Sequence, residues 1–273
     1  MRETYKKAYP FRLATTSFIY PAGYSDNVRR LAPLVDEIEL LLLESDHLPD
    51  SSEVRQLQTL ADDQDVSYNV HLPMDIRLGA VDAEQRHRSI SVVAQTLERV
   101  APLDATTCTL HLSVDDRVQS STDLKAWQSR CRESLEDLMQ RTKIPSRCLS
   151  VETLDFNPQW LVDIVEPMDT AICIDVGHLL RFGYDLALVI DLFQQRTTAY
   201  HLHGVAGGKD HLSLAKLETD AANTLIPVLK HFCGTVSLEV FNHRHFTESL
   251  DTLASLMGRT TLKESPVGKA HAF

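Results

Sequence analysis

Short runs of apolar residues recur along the chain, and segments with an apolar residue at every third or fourth position separate them. The runs predict buried strands, and the spaced pattern predicts amphipathic helices. We place eight strands at residues 12–19, 36–43, 66–72, 106–112, 148–153, 171–176, 198–202 and 235–240. Eight helices alternate with them, at residues 26–34, 51–63, 83–100, 123–141, 158–165, 185–195, 220–233 and 247–257.

The regular alternation of strand and helix predicts an α/β fold, a closed (β/α)8 TIM barrel. The chain has 273 residues, a length that one barrel accommodates, and no shift in composition marks a second domain. We therefore predict one domain over residues 1–273, with flexible ends at residues 1–11 and 259–273. An open doubly wound sheet is the alternative, but residues 20–23 read Tyr-Pro-Ala-Gly where that fold carries its glycine-rich phosphate turn.

Composition and charge limit the partners that we expect. The formal net charge is −11 with histidine neutral, whereas proteins that bind nucleic acid normally present a basic surface. We expect a small-molecule substrate, with no nucleic acid and no membrane partner, since no apolar run approaches the length of a membrane span. The five cysteines form no CxxC pair, which argues against a zinc knuckle or a disulfide framework. With no secretory signal visible, we expect a cytoplasmic protein.

Six of the apolar runs end on a side chain of a type that binds metal ions. In a parallel barrel the carboxyl ends of the strands meet at one end, where catalytic residues lie. Carboxylates and imidazoles crowded there are costly unless they are paired or bound to a cation. A mixed nitrogen and oxygen set fits Zn²⁺, Mn²⁺, Fe²⁺ or Co²⁺, although separate, hydrogen-bonded core residues are the alternative. The six residues are His71, His111, Glu152, Asp175, His201 and Glu239.

A second set of polar side chains follows these strand ends. His178 lies three residues after Asp175, and Gly177 between them permits a tight backbone turn. Glu39 alternates with apolar neighbours, so it either supports a ligand histidine from behind or stands at the rim as an ordinary carboxylate. The segment after the seventh strand adds His203, Asp210 and His211.

The run after the eighth strand, residues 242–245, reads Asn-His-Arg-His. We interpret it either as a solvated loop or as a phosphate clamp, in which Arg244 and an imidazolium from His243 or His245 meet an anion. Charge-assisted hydrogen bonds of this kind are strong enough to orient a phosphate.

The pattern of strand ends resembles the xylose-isomerase-like barrel superfamily, which includes type IV apurinic endonucleases and ketose epimerases. The resemblance covers nearly the whole chain, and the metal motifs of that superfamily match Glu152, Asp175 with His178, His201, and Glu239. Both branches share these positions, so the motifs imply the superfamily and a metal but not the reaction.

The endonuclease-like branch also carries strand-end histidines, which match His71 and His111 here. Its late Asp/His pair resembles Asp210 and His211, but the two are adjacent in this chain, whereas the family pattern has one residue between them. Three longer segments, residues 15–21, 31–40 and 68–75, are similar to the cobamide-remodelling branch, whose members hydrolyse the nucleotide loop of corrinoids.

Our first hypothesis is a metal-dependent phosphoester hydrolase with one to three divalent ions, Zn or Mn first, acting on a small or medium-sized ligand such as a cobamide. Bound metal would lower the pKa of a water to roughly 7. The expected catalytic residues are Glu152, Glu239 and His178. The expected metal ligands are His71, His111, Glu152, Asp175, His178, His201, Asp210, His211 and Glu239. The expected substrate-binding residues are Glu39, His203, His243, Arg244 and His245.

Two other functions stay open at this point. In a sugar isomerase or epimerase, Glu152 and Glu239 would flank one metal and exchange a proton with the carbon beside a carbonyl. The two extra histidines, His71 and His111, weigh against that interpretation. A non-catalytic metal or corrinoid carrier would use the same cavity without turnover.

Overall fold

The computed structural model describes residues 4–114 and 118–259. Its strands are β1 (Arg12–Thr16), β2 (Glu37–Leu41), β3 (Ser67–His71), β4 (Cys108–Leu110), β5 (Leu149–Glu152), β6 (Ala171–Asp175), β7 (Thr197–Leu202), β8 (Gly204–Ala206), β9 (Lys209–Leu212) and β10 (Thr235–Leu238). Its helices are α1 (Tyr24–Leu31), α2 (Ser51–Gln64), α3 (Ala83–Val100), α4 (Ser121–Thr142), α5 (Val162–Met168), α6 (Val176–Arg181), α7 (Leu186–Phe193), α8 (Thr219–Leu229) and α9 (His243–Leu256).

Eight parallel strands close into one barrel, in the order β1 to β7 and then β10, which pairs again with β1. The closing pair aligns Arg12 with Thr235 and Thr15 with Leu238. This pairing confirms the TIM barrel and rules out the open doubly wound sheet, which would leave two edge strands. Among the described helices, none is long and apolar enough to cross a membrane.

The helices cover the barrel with the apolar faces that the sequence pattern predicts. Leu57 of α2, Val93 of α3 and Leu135 of α4 are fully buried, and so is the large indole of Trp127, also on α4. Burial of this kind contributes about 1.5–3 kcal/mol for each large apolar side chain. The barrel is therefore a rigid frame for the side chains at its ends.

A buried carboxylate ties the amino-terminal end of the barrel together. Glu37 is fully buried on β2 and accepts hydrogen bonds from three other strands and from the segment before β4. A charge in such a place is stable only when its oxygens are fully paired. The five donors are Arg12, Ser67, Asn69, Thr106 and Thr235, at 2.8 to 2.9 Å.

The structure departs from the predicted elements after β6 and β7. The short helix α6 begins directly at the end of β6, because the side chain of Asp175 accepts a hydrogen bond from the His178 amide at 2.7 Å and caps the helix. Residues 204–212, predicted as part of a loop, form the antiparallel hairpin β8–β9, with Gly207 and Gly208 at its turn in left-handed conformation.

The two ends of the chain also differ in detail from the expectation. Within the segment predicted to be a flexible end, Tyr5 and Phe11 are buried in the apolar core. Residues 1–3 and 260–273 lie outside the described part of the chain, so their predicted flexibility stays a prediction. Helix α9 begins at His243, four residues earlier than predicted, because Asn242 accepts a hydrogen bond from the His245 amide and caps it.

Candidate metal centre

Glu152, at the end of β5, lies at the middle of a cluster of polar side chains. Its side chain is 1% exposed. One carboxylate oxygen, Oε2, lies 2.7 Å from Nε2 of His111 and 3.1 Å from Nε2 of His71. The other, Oε1, lies 3.3 Å from Nδ1 of His201 and 3.6 Å from Nδ1 of His178. The carboxylate therefore faces two groups of histidines, one with each oxygen.

These contacts define a first ligand group of His71, His111 and Glu152, whose ligand atoms all lie within 4.8 Å of one another. The rings of His71 and His111 meet edge to face at 4.8 Å, which leaves both Nε2 atoms directed at the carboxylate. Adjacent parallel strands deliver the pair, since β3 and β4 are neighbours in the barrel. The sequence prediction that these two histidines belong together is consistent with this geometry.

The second ligand group consists of Glu152, Asp175, His201 and Glu239, all buried and again within 4.8 Å of one another. Nδ1 of His201 lies 3.2 Å from Oε2 of Glu239 and 4.0 Å from Oδ2 of Asp175. Oε2 of Glu239 is nevertheless buried without a hydrogen-bond partner. A buried carboxylate oxygen that faces other ligand atoms and accepts no hydrogen bond fits a site for a divalent cation.

The third ligand group brings together His178, His203 and His211. The hairpin β8–β9 folds back so that the ring of His211 lies 4.2 Å from that of His203, and the His211 amide donates to Nδ1 of His203 at 2.9 Å. His211 has φ of +50°, a conformation that non-glycine residues adopt only where the surrounding structure holds them. Nε2 of His203 lies 3.0 Å from Asp175, which links this group to the second.

The position of Asp210 differs from the prediction. We expected Asp210 to act with His211, but its carboxylate pairs with the guanidinium of Arg181 on α6. In a β-strand, neighbouring side chains point to opposite faces, so the adjacent Asp210 and His211 do not both face the centre. His203, predicted as a substrate contact, occupies the place in the third group instead.

Glu39 lies beneath the second group rather than at the rim. It is fully buried, and its Oε1 lies 2.9 Å from Nε2 of His201. Ser237 donates a hydrogen bond to the other carboxylate oxygen. A carboxylate behind a histidine fixes the ring and directs its opposite nitrogen toward a metal. The geometry agrees with a supporting role for Glu39 and gives it no surface for contact with a substrate.

The buried charges in the centre balance one another. Burial opposes ionisation of Glu152, but the imidazoles of His111 and His201 outweigh it and hold the pKa of that carboxyl well below its usual range. Burial also opposes protonation of His203, yet the neighbouring Asp175 raises its pKa to about 9. The carboxylates and the histidine rings beside them therefore stabilise one another, and a divalent cation would supply the same compensation where a ring loses a proton to bind it.

The predicted phosphate clamp does not reach these groups. His243, Arg244 and His245 occupy the first turn of α9, where Arg244 pairs with Glu248 at 2.9 Å and is exposed. His243 lies against the ring of Tyr20, at 5.5 Å between ring centroids. The helix cap at Asn242 explains the difference, because it converts the predicted loop into the first turn of a helix.

The chain matches one protein family and is similar in fold to several solved structures. The model of the xylose isomerase-like TIM barrel family matches residues 35–258. A D-tagatose 3-epimerase-like protein superposes with a TM-score of 0.76 at 19% identity, over 91% of this chain and 97% of that one. Endonuclease IV from Thermus thermophilus gives a TM-score of 0.70 at 17% identity, over 90% of this chain and 99% of that one.

D-psicose 3-epimerase from Clostridium cellulolyticum, solved with D-tagatose, gives a TM-score of 0.68 at 15% identity, over 90% of this chain and 99% of that one. A comparison with curated proteins gave no match. At these identities the similarity to solved structures concerns the fold.

Proposed function

The chain belongs to the xylose isomerase-like TIM barrel family, and from this premise we propose that it is a divalent-metal-dependent phosphoester hydrolase. The observation that carries the proposal is that the two carboxylate oxygens of Glu152 face different ligand groups. One of its oxygens faces His71 and His111, and the other faces the second ligand group. A carboxylate shared in this way suits two neighbouring cations, the arrangement that stabilises both the attacking and the leaving oxygen of a phosphoester.

The first and second ligand groups have a proposed role as metal sites. His71, His111 and Glu152 would hold one cation, and Glu152, Asp175, His201 and Glu239 the other; such ions polarise the phosphoryl group and activate water. His178 is 15% exposed at its side chain, so it has a face from which to contact a phosphate oxygen. Glu239 lies 3.2 Å from His201 and 3.8 Å from His211, a position from which its carboxylate can accept a proton.

We propose a cobamide as the substrate, with the phosphodiester of its nucleotide loop as the bond that is cut. The support is the resemblance of residues 15–21, 31–40 and 68–75 to cobamide-remodelling hydrolases. The net charge of −11 favours a discrete ligand over duplex DNA.

The test is incubation of the metal-loaded protein with a cobamide, followed by mass spectrometry of the products. We expect two products: a truncated corrinoid, and the released nucleoside or nucleotide that carries the lower ligand of the cobamide. Abasic duplex DNA serves as the comparison substrate. Efficient nicking of this DNA would show that the cobamide is the wrong substrate, but it would still support phosphoester hydrolysis as the reaction. If the protein bound cobamide stoichiometrically and left it unchanged, it would be a carrier and not a hydrolase.

A sugar epimerase is the second candidate, and the similarity of the fold to D-tagatose and D-psicose 3-epimerases favours it. That reaction would use Glu152 and Glu239 on either side of one cation and would leave His71 and His111 without a role. Incubation with ketohexoses in deuterated water tests it, because epimerisation exchanges the proton beside the carbonyl. Deuterium incorporation with untouched cobamide would establish the epimerase and refute the hydrolase.

A further inference from the structure

A cavity of about 380 Å³ with an aromatic wall opens between the segment that follows β1 and the segment that follows β2. Small organic ligands occupy cavities of roughly 300–1,000 Å³ with mainly apolar walls and a few polar groups. The residues that line this cavity are Ser17, Phe18, Ala22, Gly23, Tyr24, Leu43, Glu44 and His47.

Backbone hydrogen bonds connect the cavity wall to the strand that carries His71. In the barrel register Leu41 lies opposite His71, and the Leu42 amide donates to the His71 carbonyl at 2.9 Å. The carbonyl of Leu43, which lines the cavity, accepts from the Met74 amide at 3.2 Å. The cavity therefore lies at the carboxyl end of the barrel, at β1 and β2, and β2 is the strand that pairs with the one carrying His71.

The aromatic wall is held in place while one ring stays open to solvent. The hydroxyl of Tyr24 donates to the Leu41 carbonyl at 2.9 Å, which fixes that ring. Phe18 meets Tyr24 edge to face at 6.1 Å and is 41% exposed. A phenylalanine that is ordered by a neighbour and still exposed presents its apolar surface to whatever enters the cavity.

The mouth of the cavity favours a neutral ligand over an anion. Glu44 and His47 stand there as a pair, with Oε2 of Glu44 3.2 Å from Nδ1 of His47, and both are largely exposed. A carboxylate at this position repels a phosphate but accepts a hydrogen bond from a ring N–H.

We propose that this cavity binds a neutral heteroaromatic ring that the substrate carries beside its phosphoester. The inference rests on the proposed function for its connection to catalysis, but the binding itself needs no metal. It assigns Phe18 as a specificity-determining residue that stacks on or abuts the ring.

Benzimidazole is the probe, and calorimetric titration in the presence of EDTA is the measurement, so that the ring nitrogen cannot bind a metal. We expect saturable binding at one site, weakened about threefold to tenfold in Phe18→Ala, the range of aromatic pair interactions. Phe18→Trp should restore it. Leu188→Ala is the matched control, because Leu188 is an exposed apolar residue, 68% accessible, on α7 outside the cavity.

Equal benzimidazole affinity in the wild type, Phe18→Ala and Leu188→Ala would overturn the proposal, as would the absence of binding. If the protein turns over a cobamide, Phe18→Ala should raise KM by a similar factor with kcat unchanged, and an unchanged KM would also overturn it. If no cobamide is hydrolysed while benzimidazole still binds in a Phe18-dependent way, the hydrolase proposal fails and the ring site stands.

Discussion

At the scale of single residues, the candidate centre depends on Glu152, whose two carboxylate oxygens face different ligand groups. The oxygen that faces His71 and His111 is the feature that a one-metal epimerase does not need. His71 ends β3 with its side chain 2% exposed, and His111 directly follows β4 with its side chain 14% exposed at the rim. We expect both to contribute to the site more than to the core, so that mutation separates their role from folding.

We predict that His71→Ala and His111→Ala each lower turnover by on the order of a hundredfold or more, because each removes a ligand from the proposed first metal site, whose ion would help to activate water. Elemental analysis should show one metal ion fewer per chain, and circular dichroism should show an unchanged fold. His231→Ala is the control, since His231 is exposed after α8. Near-normal turnover of either variant with saturating metal would contradict the two-metal hydrolase and favour the epimerase.

At the scale of secondary structure elements, the junction of β6 and α6 sets the spacing of the second and third ligand groups. Asp175 both caps α6 and contributes a carboxylate, and it contacts His203 from the segment after the neighbouring strand. Gly177 lies in the first turn of α6 against the imidazole of His203. The absence of a side chain at residue 177 is therefore what lets His203 approach the helix.

We predict that Gly177→Ala displaces His203 and disrupts the third ligand group. A Cβ built on residue 177 would lie 2.0 Å from Cε1 of His203, a distance that forces the ring to move. The expected result is a loss of about 1–3 kcal/mol in the free energy of unfolding, measured with urea, together with weaker metal binding. Unchanged stability and unchanged metal affinity would show that the helix and ring adjust without cost.

At the scale of the whole molecule, closure of the barrel gathers polar groups at both ends. The carboxyl end holds the three ligand groups, and the amino-terminal end holds Glu37 with its five hydrogen bonds. Between them Glu39 and Ser237 connect to His201. The interior of this barrel is thus polar along much of its axis, and its stability depends on complete pairing of those groups.

We predict that Glu37→Gln lowers the free energy of unfolding by about 2–3 kcal/mol, because the amide leaves buried donors and the Arg12 guanidinium without an anionic partner. Urea unfolding measures the change. Glu84→Gln is the matched control, since Glu84 pairs with Arg88 on the surface at 79% exposure and should change stability by less than about 0.5 kcal/mol. If Glu37→Gln lowered the free energy of unfolding no more than Glu84→Gln does, the hydrogen bonds to Glu37 would contribute little to stability.

Metal removal should lower the stability of the whole barrel. An ion present at about a thousand times its Kd stabilises the folded state by about 4 kcal/mol. For a chain of this size that corresponds to a fall in Tm of roughly 8–16 °C after EDTA treatment, read by differential scanning calorimetry. Restoration by added Zn²⁺ or Mn²⁺ would complete the test. An identical Tm with and without EDTA would count against resident metal at the ligand groups.

The sequence alone determined the barrel and the candidate ligands at its strand ends, because short apolar runs and helical periodicity are local patterns, and parallel strands of a closed barrel direct their carboxyl ends to one place. Only the tertiary structure decided how those ligands are grouped. It places His203 with His178 and His211, pairs Asp210 with Arg181, and carries Arg244 away on α9. The reason is physical: a Gly-Gly turn or an Asn cap is a local signal, but where the residues beside it come to lie depends on contacts between segments distant in sequence. The cavity beside Phe18 also depends on tertiary structure, since it lies between the loops that follow the paired strands β1 and β2.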